Sequence, residues 1–165
     1  MAITLKLTGK LFDSEELQKV FEQVKDWSRR EDLAIVTGGG GLARRLIAIG
    51  RSLGLNEGHL DQLGIEAARL HARLLALYLD GYKGVPRSLE EFVEAWSVKR
   101  PVVAGGFQPG QSTVGVASLI AEVTNSKMLV LATTVDSVYD KDPRKHPDAK
   151  PLKEVRLSEL MEILA

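Results

Sequence analysis

Residues 33–45 read LAIVTGGGGLARR. The apolar run Leu33-Ala34-Ile35-Val36 predicts a buried strand. Gly38-Gly39-Gly40-Gly41 follow at once, and Leu42-Ala43-Arg44-Arg45-Leu46-Ile47 opens a helical pattern. Strand, glycines and helix start make an arrangement suited to phosphate. Glycines let backbone N–H groups approach an anion, and a helix N-terminus adds positive potential. Arg44 and Arg45 add charge that can reach a phosphoryl oxygen. No GxxxxGK[ST] is present and GxGxxG is not met, so this is neither a P-loop nor a dinucleotide fingerprint. A tight turn explains the glycines equally well. The reading therefore depends on whether other loops are of the same kind.

Working outward, three more strands have the same form. Ile3–Leu7 alternates and exits through Lys6-Leu7-Thr8-Gly9-Lys10. Residues 101–104 run into GGFQPGQST at 105–113. Residues 128–132 run into TTVDSVY at 133–139. Helical patterns lie between them. Asp13 and Glu16 have capping-box spacing ahead of Leu17, Val20, Phe21, Val24 and Trp27, which share one helical face. Asn56–Gly58 reads as a turn, and His59 to about Leu79 as a helix apolar on more than one side, as in a buried or partner-packed helix. Ser88 and Glu91 cap a short helix through Trp96, another helix begins near Val114, and a last amphipathic segment starts near Ser158. Continuous apolar strands alternating with helices predict an α/β protein: a three-layer α/β/α sandwich with a mostly parallel sheet. Ligands of such sheets bind beyond the carboxyl ends of the strands, so the four exit loops should lie on one edge.

The composition narrows the chemistry. The 22 basic and 22 acidic residues balance, so no overall field points to nucleic acid. There is no cysteine, which excludes disulfides, zinc–thiolate sites and thiol nucleophiles. No secretory signal or membrane-length apolar run appears, and a cytoplasmic protein is expected. The length predicts one domain. His59, His71 and His146 lack ligand spacing, and nothing resembles a Ser-His-Asp system. Lys6 and Lys10 bracket a glycine turn as mobile point charges for a phosphoryl group. Ser112 or Thr113 serves either as a helix cap or as a phosphate ligand. Phe107 either stacks on a base or packs on the sheet, and Gln108 and Gln111 can read a base edge. Asp136, Asp140 and Asp142 are turn formers, or else meet a ribose or Mg²⁺. With no nucleophile or metal cage, cationic and glycine-rich loops point to direct phosphoryl transfer.

The stretches LKLTGK at 5–10, VTGGG at 36–40 with Ala43-Arg44-Arg45, LDQLGI at 60–65, residues 105–113 and residues 133–143 resemble the archaeal uridylate (UMP) kinases of the amino-acid-kinase superfamily. They occur in the family's order over nearly the whole chain, and FQPGQST resembles the crenarchaeal branch. The resemblance implies an amino-acid-kinase-like fold and transfer of the ATP γ-phosphoryl group to UMP, giving UDP, with Mg²⁺. It divides the chain into an acceptor-binding part over about 1–125 and the start of an ATP-binding part over about 126–165. It places UMP on Gly39, Asp61, Phe107, Gln108, Pro109, Gly110, Gln111, Ser112 and Thr113, with Asp61 accepting from the ribose hydroxyls. It places the ATP phosphates on Lys6, Gly9, Lys10, Gly40 and Arg44, and the adenosine on Thr133, Thr134, Tyr139 and Asp142. Lys6 and Lys10 would be the catalytic cations. The family forms hexamers, trimers of dimers, and the apolar helix at 60–79 would supply the dimer contact.

Some positions depart from the family pattern. Val114 stands where many relatives carry aspartate. Thr134 and Ser137 replace the Asn and Gly of the family's T-N-V-D-G-V-Y. Family members continue for several dozen residues past the point matching Ala165, so this chain is expected to lack their C-terminal segment. Two alternatives to a UMP kinase follow: a catalytically impaired nucleotide-binding paralogue or fragment, and another small-substrate kinase of the superfamily.

Overall fold

Four strands run parallel in the order β3-β2-β1-β4, where β1 is Ala2–Leu7, β2 Asp32–Thr37, β3 Val102–Ala104 and β4 Leu129–Ala132. The computed structural model describes residues 1–134 and 137–164; Val135 and Asp136, in the fourth expected loop, and Ala165 lie outside the described residues. Alternation along the strands sends Ile3, Leu5, Leu7, Leu33, Ile35 and Val103 into one core and Ala34, Val36, Val102 and Ala104 into another. Phe21 and Val24 of α1 (Leu17–Ser28) and Ala72, Leu75 and Ala76 of α3 (Glu57–Tyr78) close the first. Phe92 and Ala95 of α4 (Leu89–Val98) and Val116, Ala117 and Ile120 of α5 (Thr113–Val123) close the second. Both sheet faces are covered, which is why the central strands are apolar throughout. Each fully buried Leu or Ile contributes about 1.5–3 kcal/mol. This is the predicted α/β/α sandwich.

All four carboxyl ends lie on one edge, because every pairing is parallel. The chain moves from β1 to β2 on one side and returns to β4 on the other. The edge beside β1 is therefore a topological switch, where open α/β sheets receive ligands. Thr8 closes it by donating to the Ala132 carbonyl at 3.0 Å.

Two backbones cross there. The turn after β1, a 3₁₀ segment over Gly9–Asp13, runs against the glycine turn that starts α2 (Gly40–Ser52). A Cβ on Gly9 would lie 2.0 Å from the Gly40 nitrogen, and one on Gly40 would lie 2.1 Å from the Gly9 carbonyl oxygen. Gly40 also has φ of +54°. Only glycine meets both demands.

Local signals were partly redirected. Asp13 and Glu16 do not form a capping box: α1 begins at Leu17 with no side-chain cap, and Asp13 turns to α2 instead. Asn56 is no simple turn residue but the cap of α3, accepting from His59 N–H at 2.9 Å. Ser88 caps α4 as expected, accepting from Glu91 N–H at 3.2 Å, while the Glu91 carboxylate takes the Arg87 N–H.

The chain divides into two compact units, Met1–Ala132 and Thr133–Ala165. The four-stranded sheet and its covering helices belong to the first. In the second, β5 (Val138–Tyr139) and β6 (Pro151–Leu152) pair antiparallel, and α6 (Leu157–Leu164) follows. No described helix is long and apolar enough to cross a membrane.

The crossing makes a contrast between two glycines. Gly9→Ala is expected to destabilise the fold by roughly 3 kcal/mol or more, since backbone must shift to admit the methyl. Gly54→Ala, at φ of +78° with nothing within 4 Å of where a Cβ would stand, should cost only about 1–2 kcal/mol. Urea unfolding of the two variants measures the difference.

Candidate active site

The strand-end edge carries a cleft of about 360 Å³. Gly39, Asp61, Gln108, Gly110, Gln111, Ser112 and Thr113 line it, so most of the residues expected to hold the acceptor come together. Gly64, Ile65, Ala68 and Gly106 complete the wall; Gly106 lies in the glycine-rich loop and Gly64 and Ile65 in the LDQLGI stretch, while Ala68 carries no chemical signature in the sequence. Phe107 and Pro109 are not among the lining residues. The Phe107 ring packs on the core beneath α4 and α5, which favours the packing role over base stacking.

One wall is α3. A Cβ on Gly39 would lie 3.0 Å from the Gly64 carbonyl oxygen, and one on Gly105 would lie 2.7 Å from the Arg69 nitrogen. Both loops therefore rest on the α3 backbone. Thr37 Oγ1, fully buried, donates to the Ala68 carbonyl at 2.9 Å. His71, a residue without ligand spacing in the sequence, is buried beneath the glycine turn. Its Nδ1 lies 2.8 Å from the Gly38 carbonyl oxygen, so Nδ1 carries the proton and donates. The ring stacks on Phe12 at 3.9 Å between centroids. It is a support for the turn rather than a ligand.

The opposite wall is the loop at 105–113. Ser112 caps α5 by accepting from Gly115 N–H at 3.0 Å, the capping alternative left open by the sequence. Asp61, from the first turns of α3, accepts from Gly110 N–H through Oδ2 at 2.8 Å. Its second oxygen stays available to a hydroxyl donor. The carboxylate thus ties the loop tip to α3 and still lines the cleft.

The cations sit beside the crossing. Lys6 lies on the β1 face it shares with Thr4, the face on which α5 packs. Among the described residues its ammonium has neither a hydrogen bond nor an ion pair, and partial burial lowers its pKa below 10.5. Lys10 is the second residue of the 3₁₀ segment and is exposed. Arg44, in the first turn of α2, stands 3.6 Å from the Asp13 carboxylate. Asp13 also accepts from Gly41 N–H at 2.7 Å, so it caps α2 from 28 residues away. Gly9 and Gly40 are the crossing itself.

Thr133, Thr134, Tyr139 and Asp142 belong to the second unit. Thr133 and Thr134 are exposed, and Tyr139 is half-buried in β5. Asp142 is a turn former: it accepts from Arg144 N–H at 3.0 Å and Arg144 Nε at 3.2 Å, and these bonds hold its carboxyl below the usual range. Asp140 accepts from Lys150 N–H at 2.8 Å across the hairpin.

The sequence and fold are similar to those of known proteins. A uridylate kinase from Sulfolobus acidocaldarius is 51% identical over 170 residues, spanning 99% of this chain and 75% of that protein. A uridylate kinase from Sulfurisphaera tokodaii is 48% identical over 172 residues, with the same coverage. The crystal structure of the uridylate kinase from Archaeoglobus fulgidus superposes with a TM-score of 0.89 at 34% identity, covering 99% of this chain and 77% of that one. The Amino acid kinase family matches residues 1–165, and the chain belongs to that family.

Proposed function

We infer that the chain is a uridylate kinase, which transfers the γ-phosphoryl group of ATP to UMP and yields UDP and ADP. The Lys6 ammonium, without a partner among the described residues and close in the chain to the Gly9–Gly40 crossing, carries this reading, on the sheet edge that bears the Asp61 cleft. A half-buried cation without a counter-charge is poised for an anion. The identity to uridylate kinases over 99% of the chain supports UMP as the acceptor.

In this reading Asp61 accepts from the ribose hydroxyls through its second oxygen, and Gly39 with residues 107–113 surrounds the rest of UMP. A phosphate oxygen of UMP attacks the γ-phosphorus in line, and the bond to the β-phosphate oxygen breaks. Lys6 stabilises the charge that spreads over the transferred group, with Lys10 as a second, mobile cation. Gly9, Gly40 and Arg44 face the triphosphate. For the adenosine the family resemblance assigns Thr133, Thr134, Tyr139 and Asp142. Mg²⁺ enters as part of the triphosphate substrate, held by phosphate oxygens and water. Among the described residues no group of three or more His, Cys, Asp or Glu side chains offers it a cage. A cytoplasmic role in pyrimidine nucleotide biosynthesis follows from UDP as product.

The oligomer is proposed to form through α3. Leu70, Leu74 and Leu77 are 59%, 51% and 60% exposed and recur at helical spacing on the face away from the core. A second copy of the chain would cover them, and three such pairs would give the hexamer of the resemblance.

Production of UDP from UMP and ATP in a coupled assay tests the activity, and absence of UDP with a folded protein overturns it. Lys6→Met should lower kcat by about 10²-fold or more with little change in KM for UMP. The same variant should be more stable than the parent near neutral pH. Because Lys6 has a lowered folded pKa, the unfolded chain binds more protons just below 10.5, and the parent recovers stability as pH rises through that window. The gap in urea unfolding should therefore narrow with rising pH. Asp61→Asn keeps an acceptor for Gly110 but puts an NH₂ donor in place of the free oxygen. It should weaken UMP binding by about tenfold to a hundredfold and spare ATP, as measured by calorimetry. Leu74→Glu should shift sedimentation to a smaller species.

A further inference from the structure

Arg69 points inward from α3, with only 13% of its side chain exposed. Its Nε donates to the Gly106 carbonyl at 3.0 Å and its Nη2 to the Phe107 carbonyl at 3.0 Å. Nη2 also reaches the Arg87 carbonyl at 3.3 Å, and Nη1 pairs with Glu66 at 2.7 Å. One guanidinium thus grips two successive peptide units of the loop that forms the outer wall of the cleft. The planar fork suits this, because its donors are fixed relative to one another. Each peptide is planar and trans, so the carbonyls held toward Arg69 turn the N–H groups of Phe107 and Gln108 the other way. Among the described residues neither N–H has a protein acceptor. Further along, the loop tip is tied by Asp61 to Gly110 N–H and by a 3.3 Å bond from Gln111 N–H to the Gln108 carbonyl, before Ser112 joins the start of α5.

We propose that Arg69 is a positioning residue for the acceptor: its grip on the Gly106 and Phe107 carbonyls sets how the loop at 105–113 presents itself to the nucleotide. The proposal rests on the reading of the cleft as the UMP site. Arg69 touches no substrate in it. The guanidinium fixes the base of the loop, Asp61 fixes the tip, and the residues between are held open across the cleft. Lysine supplies the charge but not the fork, so it should hold one carbonyl and release the other.

The test uses Arg69→Lys and Arg69→Ala in the full chain, each checked for native circular dichroism. Hydrogen exchange without ligand comes first. The Gly110 and Gln111 amides should exchange at least tenfold faster in both variants, with α3 amides unchanged. Calorimetry and kinetics follow. Kd and KM for UMP should rise at least tenfold, KM for ATP should stay within twofold, and guanidinium ion should partly restore UMP affinity to Arg69→Ala but not to Arg69→Lys. Unchanged exchange at Gly110 overturns the proposal whatever the substrate. UMP affinity within twofold of the parent in Arg69→Ala, while Asp61→Asn loses it, overturns it too. If the parent itself fails to bind UMP, the reading of the cleft falls, and the exchange result alone decides Arg69.

Discussion

The crossing of Gly9 over Gly40 is the constraint on which the strand-end edge depends. Two chain segments that leave adjacent parallel strands pass at backbone contact, with no room for a single methyl between them. Close passage brings the exit of β1 against the start of α2. It brings Arg44 of α2 to 3.6 Å from Asp13 of the turn that follows β1. It also lets Asp13 reach across to Gly41. Had either glycine carried a side chain, the two turns would separate and the cap on α2 would be lost with them. The glycines thus have a structural reason that stands whether or not a phosphate binds there.

The sheet was legible because its physics is local. Runs such as Leu33–Val36 and Val102–Ala104 are apolar at every position, which only a strand covered on both faces explains. The same holds for the caps at Ser88 and Ser112, where a hydroxyl precedes a helical period. What could not be read was the choice of partner. Asp13 has good spacing to cap the helix that follows it, yet a closer set of donors, 28 residues on, takes its carboxylate. His71 shows no ligand spacing, and nothing in its sequence neighbours reveals that a carbonyl of the glycine turn will lie over it. Strands of two residues, as in β5 and β6, are too short to show any period.

The candidate site divides along the same line. The loop at 105–113 was legible as chemistry, through amides, hydroxyls and glycines, whereas Asp61 was reached only through the family resemblance. Gly64, Ile65, Ala68 and Arg69 were not legible as chemistry, since their contribution is shape and support. Phe107 illustrates the limit of residue type as a guide: an aromatic side chain in a binding loop is free to face the core, and here it does.

One short stretch of α3, Gly64 to Arg69, bears both walls of the cleft. Gly39 rests on Gly64 and Ala68, Gly105 on Ala68 and Arg69, and Gly106 on Ile65. An α-helix advances about 5.4 Å per turn and scarcely stretches. The helix therefore acts as a gauge block between the two loops. Sliding or rolling it carries both walls together and leaves their separation unchanged. The tip near Gly110 is tied to the same helix through Asp61, so the helix gauges the lip of the cleft as well as its sides. The cleft is a vice with its jaws and its lip seated on one rigid bar.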